Sequence, residues 1–311
     1  MTLPQDVIGV DIAKGWIDTF TLSTSRHEPI DMTQAALARF ARAAKGALVV
    51  CEASGGYERP LTEALATAGV ACARVNPRQA REFARATGRL AKTTSVDAGV
   101  LARMGRALEL APTPPQDPDR ARLSDLVARR DALAATIRAE KNRAGTARDP
   151  WLLREIAALV EVVQAHLKAV EAVIAALIDT RDRLAAAARR LRSVPGIGPA
   201  LAAVLIARLP ELGQLDHRRI ASLAGLALHA CDSGLRRGKR RIWGGRADVR
   251  RALYIAGFIA SRHDATLKAF RQRLEAAGKP AKVAITACAR KLLTILNAMV
   301  RNNQDYRKHP A

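Results

Sequence analysis

The apolar positions of the chain follow two regimes. Up to about residue 110 they come as short runs separated by helical stretches, and beyond residue 118 they recur at helical spacing with few breaks. Val7–Val10 is a short apolar run ending at Asp11, and Trp16–Leu22 alternates like a partner strand after the turn Ala13-Lys14-Gly15. The pair reads as a β-hairpin with a carboxylate at its mouth. A helix is predicted over Thr33–Ala44, then a second apolar strand, Ala47–Cys51, which also ends in an acid, Glu52. A turn at Ala53–Tyr57 leads into a helix through Ala68, Val70–Val75 reads as a third strand, and Asn76-Pro77 opens a basic helix over Arg78–Thr87. Thr93–Met104 starts another helix, which carries Asp97.

Acids that close apolar strands stand at the rim of a sheet, where a divalent cation can bridge them. Each acid also has a structural reading. Asp11 and Glu52 can cap the elements that follow them, and Asp97, three residues after Thr94, fits a capping box. The three together carry more weight. Strand, acid, strand, strand, acid, then a helix bearing an acid is the order of an RNase-H-like nuclease core, built on a mixed α/β sheet.

Ala111–Pro118, with four prolines in eight residues, cannot be the interior of a helix or strand and marks a domain boundary. Beyond it Leu123, Leu126, Val127, Leu133, Ala134 and Ile137, and after a break Ile156, Leu159, Val160, Val163, Leu167, Val170, Ile174, Leu177 and Ile178, predict two long helices of an antiparallel coiled-coil hairpin. Such a hairpin sets the distance between flanking domains, pairs with another subunit, or serves as an intramolecular spacer. Next, Ser193-Val-Pro-Gly196-Ile-Gly198-Pro lies between two apolar helices, a helix-hairpin-helix signature whose backbone N–H groups can face phosphate without reading sequence. The expected organisation is therefore residues 1–110 as the α/β domain, 119–188 as the helical hairpin and 189–311 as an all-α C-terminal domain, with a frayed polar tail.

Composition adds the partner. A formal net charge of +22 on 311 residues calls for a polyanion, and nucleic acid is the first candidate. No apolar run comes near the roughly 20 residues of a membrane span, and no signal peptide opens the chain, so no membrane partner and a cytoplasmic location are expected. Four scattered cysteines without a C-x-x-C pair predict reduced thiols and no structural zinc. Aromatic content of 4% argues against stacking platforms as the main design.

The positive charge concentrates between Asp232 and Arg251, where eight Lys/Arg and glycines at 234, 238, 244 and 245 surround Ser233. Arg236, Arg237, Lys239, Arg240, Arg241 and Arg246 are candidate phosphate contacts, with Gly196 and Gly198 of the hairpin, and a hydroxyl at 233 would face a phosphodiester. A solvated basic loop whose serine shapes a turn is the plainer reading. His229, four residues earlier, is a candidate general base, although a histidine near a helix end is more often structural.

Assembled, Val-Ile-Gly-Val-Asp11, Val-Val-Cys-Glu52-Ala-Ser-Gly-Gly-Tyr, Lys92-Thr-Thr-Ser-Val-Asp97, Val-Pro-Gly-Ile-Gly198 and Asp232-Ser233-Gly before a basic run resemble the DEDD transposases and site-specific recombinases of the pilin-invertase type, the insertion-sequence one-ten family. The resemblance spans nearly the whole chain. It implies a RuvC-like N-terminal domain, a coiled coil, and a C-terminal domain with a nucleophilic serine, Ser233. It implies magnesium, or manganese, held by Asp11, Glu52 and Asp97. DNA as donor and target, a structured guide RNA and a dimer or tetramer on DNA follow from the same resemblance. The family's last motif has two aspartates three apart, and here Thr94 stands at the first, leaving a neutral hydroxyl among the expected metal ligands. Two other outcomes stay open: a hydrolytic nuclease of the RuvC class, and a nucleic-acid-binding derivative that has lost catalysis.

Overall fold

The computed structural model describes residues 6–88, 94–115, 117–230, 232, 238 and 240–306, and the chain divides into two compact units, 1–116 and 117–311. The first is built on a five-stranded sheet of order β3-β2-β1-β4-β5, formed by β1 (Asp6–Ile12), β2 (Trp16–Thr21), β3 (Arg26–Asp31), β4 (Ala47–Glu52) and β5 (Ala71–Val75). β2 is antiparallel to both β1 and β3, whereas β1, β4 and β5 run parallel. The strand β3 has no counterpart in the sequence-based expectation. Its residues, Arg-His-Glu-Pro-Ile-Asp, are mostly exposed, as suits an edge strand with no apolar alternation to signal it.

Side chains alternate across the sheet, and each face receives its own helices. Ile8, Val10, Val49 and Cys51 pack on one side with Leu37 and Phe40 of α1 (Gln34–Ala43) and Leu61 and Leu65 of α2 (Arg59–Thr67). Val7, Leu48, Val50 and Ala73 pack on the other with Ala80 of α3 (Pro77–Ala86) and Ala98, Leu101, Ala102 and Met104 of α4 (Thr94–Ala107). Leu61 and Leu65 are fully buried, and each such side chain contributes about 2 kcal/mol of transfer free energy.

The second unit opens with two long helices, α5 (Pro118–Ala144) and α6 (Pro150–Asp179), each capped by an aspartate, Asp117 and Asp149. Arg181, just past α6, bonds Asp119 at 2.9 Å and Arg130 reaches Glu171 at 3.2 Å, so the helices run antiparallel. The inward positions of α6, Ile156, Val160, Val163, Leu167, Val170, Ile174 and Leu177, recur in alternating steps of four and three. Leu159, expected among them, is exposed instead.

The base of this hairpin shares its core with the rest of the unit: α7 (Asp182–Arg192), α8 (Pro199–Arg208), α9 (His217–Leu223), α10 (Ala247–His263), α11 (Ala265–Ala276) and α12 (Ala281–Arg301). Ala202–Ala207 of α8 are all buried, which makes it the central helix. Helix α12 alone among the described residues is long and apolar enough to cross a membrane, contrary to the expectation that no run came close. Half of that stretch is buried, with Ala284, Cys288, Leu292 and Leu296 in the core, and Gly257 of α10 lets the two backbones touch at Ala289. Tyr306, within the polar tail expected to fray, is held by two hydrogen bonds. The Tyr306 hydroxyl donates to Asp264 at 2.5 Å and its backbone N–H to the Ser193 hydroxyl at 3.0 Å. Burial and the neighbouring Asp264 carboxylate push the Tyr306 phenol up to about 12.

Candidate functional site

Two parts of the molecule carry the expected chemistry, one in each unit. In the first, Val10 of β1 pairs with Cys51 of β4 in a parallel register, so Asp11 and Glu52 occupy the next level of neighbouring strands. By alternation both lie on the face shared by Gly9 and Val50, the face that α4 covers. Gly9 permits that coverage, because a Cβ there would lie 2.0 Å from the Ala98 carbonyl oxygen and 2.5 Å from the Ala102 nitrogen. Asp97, in the first turn of α4, is thus one residue from the point where the helix meets β1.

The fold therefore brings the carriers of all three acids to one face of the sheet. The side chains are not gathered further: among the described residues no three His, Cys, Asp or Glu form a group that could hold a metal ion. Asp11 and Glu52 each already have an interaction partner. The donor types are nonetheless of the kind a hard divalent cation takes, three carboxylates carried by two neighbouring strands and the start of a helix. The side chain of Thr94 lies outside the described residues, as does any contribution it makes.

Two acids that the sequence did not single out belong to the same region. Asp18 of β2 pairs directly with Asp11, is 7% exposed, and has His27 Nδ1 at 3.7 Å. Its position in an alternating strand, across from a candidate ligand, was the available signal. Glu58 organises the loop that follows Glu52: its Oε2 accepts from the Gly56 N–H at 2.8 Å, the Ser54 N–H at 3.1 Å and the Ser54 hydroxyl at 3.3 Å. Burial works to raise the Glu58 pKa, but backbone N–H donors and Arg74, 3.5 Å away, hold it below the usual carboxylate value. Gly55 and Gly56, at φ +74° and +112°, supply the left-handed turns that wrap the backbone around this carboxylate.

The basic stretch of the second unit begins on a two-stranded ribbon, β6 (Leu228–His229) and β7 (Arg241–Ile242), with His229 opposite Arg241. Asp232 Oδ1 accepts from the Gly238 N–H at 3.0 Å and ties the two ends of the intervening loop together. Ser233, Arg236, Arg237 and Lys239 fall on that loop and lie outside the described residues. Arg240 and Arg241 are exposed. Gly245, at φ +64°, is pressed against Gly225, where a Cβ would come within 2.2 Å of the Gly225 nitrogen, and this backbone crossing fixes the ribbon at the start of α10.

Arg246 departs from its expected role. Its guanidinium forks onto Glu211 at 2.6 and 2.7 Å and donates to the Arg208 carbonyl at 2.9 Å, so it fastens α10 to the end of α8. Burial raises the Glu211 pKa, but the Arg246 hydrogen bond and charge bring it below the ordinary value. Gly196 is similar. At φ +91° it lies against α10, where a Cβ would stand 2.8 Å from the Ala260 nitrogen and 2.9 Å from the Ala256 oxygen, so its lack of a side chain serves packing. Gly198 differs: it caps α8, is exposed, and has open space where a Cβ would be. His229 lies in an edge-on contact with Trp243, ring centroids 6.4 Å apart.

A mixed sheet that aims strand-end acids at one helix-covered face is compatible with the RNase-H-like class of phosphodiester-processing domains. Comparison with known proteins narrows the class: residues 8–147 match the DEDD transposase domain of IS110 elements, and residues 188–272 match the transposase domain of the IS116/IS110/IS902 family. The chain belongs to this family of transposases, which makes it an enzyme class acting on DNA. It is 27% identical to the pilin gene-inverting protein of Moraxella lacunata, over 98% of this chain and 99% of that protein, and equally to the one of Moraxella bovis. An uncharacterized 43.6 kDa protein of insertion element IS110 from Streptomyces coelicolor is 28% identical over 52% of this chain.

Proposed function

We propose that the protein cuts and rejoins DNA at the ends of a mobile or invertible element through a covalent serine intermediate. The observation that carries this reading is the placement of Asp11 and Glu52 at one level of adjacent parallel strands, with the Asp97 helix laid over Gly9 beside them. Asp11, Glu52 and Asp97 are the residues that would hold magnesium or manganese, with Thr94 as a neutral fourth oxygen. A bound divalent cation supplies charge to offset the negative charge that builds on phosphorus during displacement. Asp18 and Glu58 hold the surrounding backbone and field in place.

Ser233 and the acids serve the same reaction. The serine Oγ attacks phosphorus, the bond from phosphorus to one strand's ribose oxygen breaks, and the serine's proton ends on that oxygen as a free hydroxyl. The phosphoserine ester retains the energy of the broken bond, and the reverse displacement by a new hydroxyl reseals DNA without ATP. Arg236, Arg237, Lys239, Arg240 and Arg241 neutralise flanking phosphates, and the exposed start of α8 at Gly198 offers backbone N–H groups to another. A net charge of +22 exceeds what one duplex contact needs and supports a second polyanion, a structured RNA that pairs with the DNA and so chooses the site. Joining two duplexes takes several serines, which fits a dimer or tetramer, with the long helices α5 and α6 wound as a coiled coil.

The deciding experiment is adduct formation on DNA carrying the element ends. Wild type should give a protein–DNA adduct that Ser233→Ala abolishes; an adduct surviving that change sinks the serine mechanism. Cleaved ends free of protein would mark a hydrolytic nuclease. Thr94 favours a second reading, a binding protein with weakened catalysis, which salt-sensitive binding without cleavage, rescued by Thr94→Asp, would identify.

A further inference from the structure

The four cysteines are scattered along the sequence, yet the sheet brings two of them together. Cys51 closes the apolar run of β4, Cys72 stands on β5 21 positions later, and their Sγ atoms lie 3.9 Å apart as free thiols. The registers Val49↔Cys72 and Cys51↔Arg74 place the pair on a diagonal of neighbouring parallel strands. Both belong to the side of the sheet that packs with α1 and α2. Cys51 is fully buried there, whereas Cys72 is only half-buried, and Arg74 stands directly across from Cys51.

A cysteine buried among apolar neighbours is ordinarily inert, because the thiolate is the reactive form. Cys72 departs from that pattern. The hydrogen bond from Cys51 and the Arg74 charge hold its thiol below the ordinary cysteine value, although burial opposes them. The more accessible thiol is thus the better nucleophile, and a second thiol lies within reach behind it.

Joining the two is not neutral for the acids. The Sγ separation must fall from 3.9 Å to about 2.05 Å. On its outer side β5 is held at this level, where the Thr113 N–H donates to the Cys72 carbonyl at 2.7 Å and the Arg74 N–H donates to the Thr113 hydroxyl at 2.9 Å. The end of β4 therefore takes up much of the closure, and the residue that follows Cys51 there is Glu52.

We infer that Cys72 is an oxidation site for peroxides, resolved by Cys51 into a disulfide that displaces Glu52 and reversibly slows DNA cleavage. The inference rests on the role proposed above for Glu52. The Cys72 sulfur attacks one peroxide oxygen and the O–O bond breaks, leaving a sulfenic acid and one water. The Cys51 sulfur then displaces the hydroxyl group, which leaves with the Cys51 proton as a second water. The two sulfurs together give up two electrons, and one hydrogen peroxide accepts them.

The test treats the full-length protein with hydrogen peroxide and follows peptide masses, hydrogen exchange over residues 47–58, and cleavage of DNA carrying the element ends. Peptides joined through Cys51 and Cys72 should appear, and exchange over 47–58 should change. Cleavage should fall on the order of ten- to a hundredfold, the effect of a misplacement of about 1 Å. A dithiol reductant should reverse all three. Cys72→Ala should form no joined peptides and should keep its cleavage under peroxide. Absence of the joined peptides, joined peptides with cleavage unaltered, or a loss of cleavage that persists in Cys72→Ala overturns the assignment. Untreated wild type that cleaves nothing defeats the DNA-cutting function instead, and the joined peptides with the exchange over 47–58 then decide the switch by themselves.

Discussion

Asp11 and Asp18 face each other directly across the β1–β2 ladder. Two carboxylates at this spacing repel, and a bound divalent cation relieves that repulsion. Millimolar magnesium should therefore raise the melting temperature of the wild type, and by less in Asp11→Asn and Asp18→Asn. Asp11→Asn and Glu52→Gln should also lower cleavage on the order of a hundredfold or more. Differential scanning fluorimetry beside a cleavage assay reads both. An identical magnesium response in all three proteins would exclude cation binding at this face.

Gly9→Ala places a methyl where the Ala98 oxygen and Ala102 nitrogen now stand, at 2.0 and 2.5 Å. Backbone cannot yield as a side-chain tip does, so α4 must lift from β1. The expected cost is about 1–3 kcal/mol, seen as a lower midpoint in urea. Cleavage should fall further than stability explains, because Asp97 travels with the helix. Full activity in a folded Gly9→Ala protein would show that the height of α4 over β1 is not critical.

Glu58 should make the first unit acid-sensitive. Its folded pKa lies below the unfolded value near 4.5, so its contribution is complete above that value and is lost as pH falls through the folded pKa. Thermal melts from neutral pH down to about 3 should show this decline, starting near the unfolded carboxylate pKa. Glu58→Gln should cost about 1–3 kcal/mol at neutral pH and flatten part of the decline. A variant as stable as the wild type across that range would contradict the role given to this side chain.

Arg246 and Arg240 are close in sequence and should behave oppositely. Arg246→Ala removes a fork onto Glu211 and should lower stability by about 1–2 kcal/mol while leaving the salt dependence of DNA binding intact. Arg240→Ala should leave melting unchanged and reduce the slope of log affinity against log salt by about one. Titrations at three or four salt concentrations separate them, and a reduced slope for Arg246→Ala would return it to the phosphate contacts.

Much of the first unit was legible because its two central strands, β1 and β4, are buried on both faces and announce themselves as apolar runs, each followed by an acid. Asp11 and Glu52 were visible for that reason. Strand β3 was not, since an edge strand of Arg, His, Glu, Pro, Ile and Asp has no apolar period. Glu58 was hidden because its importance comes from three donors folded back onto it by two left-handed glycines, a loop property that no spacing encodes. Arg246 was misjudged for the converse reason. Within a run of arginines nothing local tells which one turns inward, and only the distant Glu211 decides it. The long helices were clear from their stripes, while Leu159 shows how one apolar position can belong to the outer surface.

The seat of Gly196 on α10 has an evolutionary consequence. Its left-handed backbone rests on the main chain at Ala256 and Ala260, with no flexible side chain between them to absorb a change. A lineage could not drift at position 196 alone. A larger residue there would require α10 to move away, and with it the ribbon that starts at its N-terminal end. The constraint thus falls on position 196 itself, since the atoms it meets at 256 and 260 are main-chain atoms that any residue there would present.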